Sequence, residues 1–386
     1  VFLEVGAMSY QERNYEVTFL TPAFLGDAEQ SGRWRTPPFK AQLRQWWRVA
    51  YAMQQNFNVD VKKMRWEEGQ LFGNAWLSHQ GDGRTVNAQC KSLVRLQLDR
   101  WDEGSLATWE GLEPASVIHP EVRKTHFRVG AHAYLGYGPL SVQKVQTQEG
   151  GSSQYATVLQ RSCAIQAGES TVLRIAYPEE YANLLEHALW LMHRYGTVGG
   201  RSRNGWGSFE LGPVEGIAQL RRDLPLRDWK QCLELDWPHA IGEDENGPLI
   251  WLTKGYQDWK TVMRDLAQLK IGLRTKFRFV FNHGQGDKKK FKNDRYLGIE
   301  HAFPQERHWL AYPVPRHWVA PWEKKRLRLP NSLRFKVREE NGKLLGVVYH
   351  MPCRPPNWVA CHIHAVQKVW SNVHTYLDGV AARVKV

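Results

Sequence analysis

A chain of 386 residues, 42% hydrophobic and 24% charged, has the length for two ordinary domains and the composition of a globular protein. No apolar run reaches the roughly 20 residues of a membrane helix, so no membrane span is expected in it. Five cysteines with no CxxC pair argue against a disulfide scaffold and for a reducing compartment, the cytoplasm, while a formal net charge of +13 favours a polyanionic partner.

The charge is unevenly placed. Up to Pro213 there are 22 basic and 21 acidic side chains, and beyond it 30 and 18. Within the nearly neutral first part, no acid falls between Glu29 and Asp60 or between Glu186 and Glu210, so the cations there are clustered. The opening "VFLEVGA" has neither the basic start nor the apolar core of a secretory signal, and native numbering is expected to begin near Met8.

In chain order, "YEVTFL" (15–20) reads as a strand, followed by the turn-rich stretch "TPAFLGDAEQSGRWRTPP". Residues 38–53 read as a helix with Pro38 at its first turn. "LVRLQL" (93–98) and "TVLRIA" (171–176) read as strands, 179–195 as a helix of 3.6 period, and "WGSFEL" as a fourth strand. The order βαββαβ predicts a ferredoxin-like, RNA-recognition-type unit. A second such unit is predicted from strands at 249–253 and 276–281, a helix from Trp259 to Leu269, a hairpin turning at Asn341-Gly342, a helix over 366–377 and a closing strand in "VAARVKV". The expected fold class is α+β: two ferredoxin-like domains in tandem with insertions, spanning 8–213 and 214–386.

Two stretches carry the functional signal. On the 38–53 helix, Lys40, Arg44 and Arg48 follow an i, i+4, i+8 row, with Trp47 and Tyr51 on the same side. A solvated helix face normally mixes both signs of charge, so an acid-free row beside two aromatics suits RNA or phosphate as well as it suits water. The stretch "GTVGGRSRNGWGSF" (196–209) holds five glycines and two arginines. It precedes a strand, so it is no dinucleotide fingerprint. A flexible backbone carrying Arg201 and Arg203 can lie along a sugar-phosphate chain.

"TPAFLG", "PFKAQLRQWWR", "LFG" (71–73), "AYLGYG" (133–138) and "GGRSRNGWGSF" together resemble the RAMP proteins of CRISPR systems, and among them the first subunit of the Cmr (type III-B) effector complex. The family's glycine-rich loop, GhG-x5-GhG, maps onto Val198, Gly199, Gly205, Trp206 and Gly207, with Thr197 in place of the first glycine. The resemblance implies two ferredoxin-like folds, binding of guide (CRISPR) RNA and target RNA near the guide's 3′ region, and assembly with other Cmr subunits. It places RNA binding on Lys40, Arg44, Trp47, Arg48, Gly199, Arg201, Arg203, Gly205 and Gly207.

The resemblance implies no catalysis, and the chain is expected not to be an enzyme. The alternative is a RAMP-type endoribonuclease that processes guide RNA or cleaves target RNA, for which His187, His193 and the loop residue Asp27 are the available groups. His350, Cys353, Cys361, His362 and His364 have no zinc-like spacing, so no metal or other cofactor is expected. The basic tract 283–295 reads as a loop, either solvated or touching phosphate.

Overall fold

The computed structural model describes residues 9–385 apart from 82–83, 110–115, 120–127, 147–152, 214–221, 278, 280–285, 291–296 and 361. The first sheet is assembled on β1 (Tyr10–Phe19), where Tyr15, Val17 and Phe19 point inward and Glu16 points to solvent. That period of two is what one buried face requires. After it come α1 (Thr36–Gln54), α2 (Val61–Phe72), β2 (Arg95–Leu98), the short α3 (Ala131–Gly136), β3 (Ser170–Pro178), α4 (Ala182–Tyr195) and β4 (Phe209–Pro213). The sheet order is β4-β1-β3-β2, antiparallel throughout, with Val17 opposite both Leu211 and Thr171.

Arg35, in extended backbone, precedes α1, and Pro37 and Pro38 occupy its first turn, where a missing N–H costs nothing. Phe39, Leu43, Trp46 and Ala50 then form a fully buried stripe that meets Leu185, Ala188, Leu189 and Met192 of α4 in the same core. Phe39 stacks on Trp34 and packs edge-on to Phe209, tying the helix to the sheet.

The second half contains β5 (Ile250–Tyr256), α5 (Trp259–Lys276), β6 (Leu333–Glu340), β7 (Lys343–His350), α6 (Ile363–Val380) and β8 (Ala382–Arg383). Asp258 caps α5 by accepting from the Thr261 amide, and the β6–β7 turn has positive φ at Asn341 and Gly342. Its sheet runs β6-β7-β5-β8. Numbered within each half, both sheets have the order fourth, first, third, second.

The expected strand at 276–281 is not formed at its described residues. Helix α5 continues to Lys276, Phe277 ends it, and Phe279 is buried outside any strand, while 278 and 280–281 lie outside the described residues. Arg274 and Lys276 in the last turn complement the negative end of the helix dipole, and the Lys276 ammonium sits 5.6 Å from the Tyr376 ring centre on α6. In the expected loop 283–295, Gly286–Lys290 is instead a strand paired with Leu297–His301.

The halves are fastened where β6 lies against the end of α4. The Lys336 side chain is fully buried, and its ammonium donates to the carbonyls of His193, Gly196 and Phe209. Three acceptors match the three N–H bonds of an ammonium, and two of them belong to the C-terminal end of α4. Around it, the Tyr349 hydroxyl donates to Tyr195 O at 2.7 Å, and the Val337 amide to Ser208 Oγ at 2.8 Å.

His193 accepts the Leu211 amide through Nδ1, and burial together with Lys336 pushes its pKa down to about 3. Burial likewise pushes His308 and His374 down to about 3, and holds His350 well below the usual value. These rings stay neutral in the fold but take up a proton near pH 6.5 in the unfolded chain, so stability falls as pH drops from about 6.5 toward 3. His193→Gln keeps an acceptor for Leu211 and removes one titration. Urea unfolding near pH 5 should therefore show the pH slope of stability reduced by about 1.4 kcal/mol per pH unit; an unchanged slope would mean that His193 protonates in the fold.

Candidate nucleic-acid interface

The glycine-rich loop leaves α4 and folds against the segment after β1. Gly200 N donates to Phe24 O at 2.9 Å and Gly207 N to Pro22 O at 2.9 Å. Thr21 Oγ1 donates to Gly205 O at 2.8 Å and accepts from the Ser208 amide at 3.0 Å. Thr197, standing where the family pattern has glycine, bridges Ser208 in backbone that does not call for glycine. Gly199, Gly205 and Gly207 do require it, with φ of 89°, 91° and 62°.

What approaches these glycines is protein. A β-carbon on Gly207 would lie 1.9 Å from Val198 O, and one on Gly199 would lie 2.8 Å from Phe24 O. On Gly205 it would meet Met263 Sδ at 3.2 Å and Leu266 Cδ1 at 3.3 Å, both on α5 of the second half. Gly205 and Gly207 are buried, so the expectation that RNA lies against them is corrected: their free space is already filled. Trp206 between them is also fully buried, packed edge-on against Trp109 and Trp259. Gly199 keeps an exposed side, and Arg201, at φ 57°, is exposed with its guanidinium beside Gly138 of "AYLGYG". Arg203 is exposed on the other flank, near Arg334 of β6.

Gly199 and Gly200 line a cleft of about 340 Å³ together with Phe24, Leu25 and Gly26, and Arg35, Arg161 and Pro38 also belong to its lining. No carboxylate lines it among the described residues. Arg35 is held at the mouth by donating to Gly26 O at 2.8 Å. Sequence reading missed both arginines as site residues. Arg35 lies inside the acid-free window 29–60 and could have been found there; Arg161 follows a hairpin and carries no local signal.

The α1 row lies elsewhere, and it is not bare. Glu68 of α2, only 4% exposed, receives Arg44 Nε at 3.0 Å and Arg48 Nη2 at 2.7 Å. The two guanidiniums, with Arg65, open onto a second cleft of about 470 Å³ at the α1–α2 seam. Lys40 is half-buried, and burial with the neighbouring Arg44 lowers its pKa. Trp47 and Tyr51, expected as exposed stacking platforms, are 2% and 5% exposed. Helix α2 covers them: Trp47 packs on Tyr51 and edge-on to Phe72. Neither can stack on a base.

The groups available for catalysis are engaged. His187 Nε2 lies 3.0 Å from Asp223 O, His193 holds the Leu211 amide, and Asp27 accepts from the Ser31 amide at 2.8 Å while pairing with Arg33 at 3.3 Å. His350 is buried between Ser332 and His374, whereas His362 and His364 are exposed and Cys361 lies outside the described residues. Among the described residues no group of three or more His, Cys, Asp or Glu side chains could hold a metal ion. Nor is any described helix long and apolar enough to cross a membrane.

No curated protein matches the chain. Among solved structures it is similar to the apo form of Cmr1 from Pyrococcus furiosus, with a TM-score of 0.40 and 14% identity over 88% of this chain and 87% of that one. The RAMP superfamily profile matches residues 16–210, the span that runs from β1 through α1 and the glycine-rich loop into β4. The chain belongs to the RAMP superfamily.

Proposed function

We propose that the chain is a non-catalytic, cytoplasmic RNA-binding subunit of a type III-B CRISPR (Cmr) effector complex, contacting the guide RNA 3′ region and target RNA in antiviral defence. Two ferredoxin-like domains, 8–213 and 214–386, carry it; the shared strand order of the two sheets supports this division. The Cmr reading rests on the "TPAFLG" and "QWWR" motifs together with the glycine-rich loop.

One observation carries the RNA reading: the cleft beside the glycine-rich loop presents Arg35 and Arg161 and, among the described residues, no acid, next to the exposed Arg201. Guanidinium groups on a wall of fixed backbone suit a sugar-phosphate chain, because phosphate contacts position a strand without reading its bases. The proposed RNA path comprises Arg35, Arg161, Gly199, Arg201 and Arg203, extended along α1 by Lys40, Arg44 and Arg48.

The test is the purified chain with labelled guide and target RNA, with and without Mg²⁺. Bound, uncleaved RNA is expected. In Arg35→Ala/Arg161→Ala, binding should weaken and its salt dependence should flatten by about 1.4 in log–log slope, two single-strand phosphate contacts at about 0.7 each. Parental affinity in that variant would remove the cleft from the interface. Cleavage abolished by His187→Ala or His193→Ala would replace this reading with the endoribonuclease one.

Gly205→Ala should be a stability variant. The added carbon sits at positive φ against Met263 and Leu266, at a cost above about 1 kcal/mol. Affinity per folded molecule should match the parent; a folded Gly205→Ala protein that no longer binds would return RNA to that face of the loop.

Glu68→Gln removes the charge that neutralises Arg44 and Arg48 while both guanidiniums stay partly solvated. If the α1 row faces RNA, affinity should rise and the salt dependence steepen, since more counterions are released. Unchanged binding would take the row out of the RNA path.

A further inference from the structure

At Arg201 the glycine-rich loop meets α3 and α5, and three cations gather there around the stretch "AYLGYG" (133–138). Arg201 places its guanidinium beside Gly138, where a β-carbon would lie 3.4 Å from Nη2. Asn204, whose backbone N–H donates to Arg201 O at 2.8 Å, also donates through Nδ2 to Leu135 O at 2.7 Å. Its Oδ1 accepts from Lys270 Nζ of α5, again at 2.7 Å. One turn further along α5, Arg274 donates to the Tyr134 hydroxyl at 3.3 Å and lies 6.0 Å from that ring's centre.

Most of the donors in this corner are unspent. An ammonium has three N–H bonds and a guanidinium five, yet Asn204 takes one from Lys270 and Tyr134 one from Arg274. Neither these two nor Arg201 pairs with a carboxylate among the described residues. The contributing stretches are themselves without acids: no Asp or Glu occurs in 131–138, 187–209 or 266–276. The helix dipole favours Arg274 in the last turn of α5, but Lys270 stands more than a turn before Lys276, beyond its reach. Burial and the like charges of Arg274 and Arg201 push the Lys270 pKa down to about 7. Next to Gly138, Tyr137 is 71% exposed.

We propose that this corner is a further RNA subsite, in which Lys270, Arg274 and Arg201 hold phosphates of a single strand and Tyr137 stacks on an unpaired base. It rests on the RNA reading above and extends it, because Arg201 belongs to both and α5 brings the second half of the chain into the path. Phosphate oxygens supply acceptors for the unspent N–H bonds and relieve the repulsion among the three cations. An exposed ring accepts the face of any base, which the covered Trp47 and Tyr51 cannot do. Asn204 fixes the arrangement: bonded at both ends of its amide, it ties Lys270 to the turn that carries Arg201.

Fluorescence anisotropy of a labelled single-stranded RNA on the full chain, read at several salt concentrations, tests the subsite. Arg274→Ala and Lys270→Gln should each weaken binding about fivefold and lower the log–log salt slope by about 0.7, the value of one single-strand phosphate contact. Lys270→Gln keeps a donor for Asn204, and thermal melting checks that each variant is folded. Tyr137→Leu should weaken binding about fivefold with the salt slope unchanged, whereas Tyr137→Phe should bind like the parent. The inference is overturned by parental affinity and slope in the folded Arg274→Ala and Lys270→Gln proteins, or by parental affinity in Tyr137→Leu. It is equally overturned if polyglutamate competes as well as RNA of equal charge, which would mark an acidic protein segment as the occupant. Any of these, with Arg35→Ala/Arg161→Ala still weakening RNA binding, ends this inference and leaves the RNA-subunit reading standing. A parental chain that binds no RNA ends both.

Discussion

A single buried ammonium holds the site together. Lys336 comes from the first long strand of the β6–β7 hairpin, yet its three acceptors belong to the end of α4, the start of the glycine-rich loop and β4. A helix leaves its last carbonyls without intrahelical partners. Here a charged side chain from the other half satisfies them, so the direction in which the loop leaves α4 is set by where β6 sits. The Phe209 ring lies 5.0 Å from the same ammonium and closes the pocket around it. Burial, with Arg338 and Arg194 nearby, holds the Lys336 pKa well below the usual lysine value against the pull of Glu210, and the three carbonyl acceptors are what favour the charged form. A buried cation of this kind tolerates little loosening, because any displaced carbonyl is left without a partner.

The glycine-rich loop acquires its rigidity from that arrangement. Its inner side is occupied by Pro22 and Phe24 carbonyls and by Met263 and Leu266 of α5, and its outer side exposes Gly199, Arg201 and Arg203. The glycines therefore allow close packing of protein on protein, and the arginines are what the packed loop displays. On the proposed reading, a strand of RNA meeting this surface encounters positions already fixed, and less ordering remains to be done on binding.

Much of the fold was legible because local patterns decided it. Tyr15, Val17 and Phe19 alternate, the α1 and α4 stripes keep a helical period, and Asn341-Gly342 announces its turn. The failures share one cause, which is covering by distant residues. Trp47 and Tyr51 lie beside the basic row on a helical wheel, and only α2 arriving over them buries both. Lys336 and Arg338 occupy positions that alternation assigns to solvent, but the first half covers that face of β6, so both are buried. Glu68 could not be connected with Arg44 and Arg48 from spacing, since the three meet only when α2 packs on α1. At 276–281 the alternating Lys-Phe-Arg-Phe-Val-Phe resembles a strand, yet the packed α5 extends to its first residue. The two arginines of the loop-side cleft divide in the same way: Arg35 sits in a window whose charge imbalance is visible, and Arg161 reaches the cleft only through the fold.

The register of Lys336 on the α4 terminus also determines what counts as one folding body. The RAMP profile ends at residue 210, close to the division proposed near Pro213. The side chains that complete the α4 end and cover Gly205 come from beyond residue 260. A fragment cut at that proposed division would carry every family motif yet lose the Lys336 ammonium from three carbonyls and leave the inner side of the loop facing water. The span matched by the family profile and the contacts that fix its loop thus differ in this chain: the motifs lie before residue 211, and the side chains that hold them in place lie beyond residue 260.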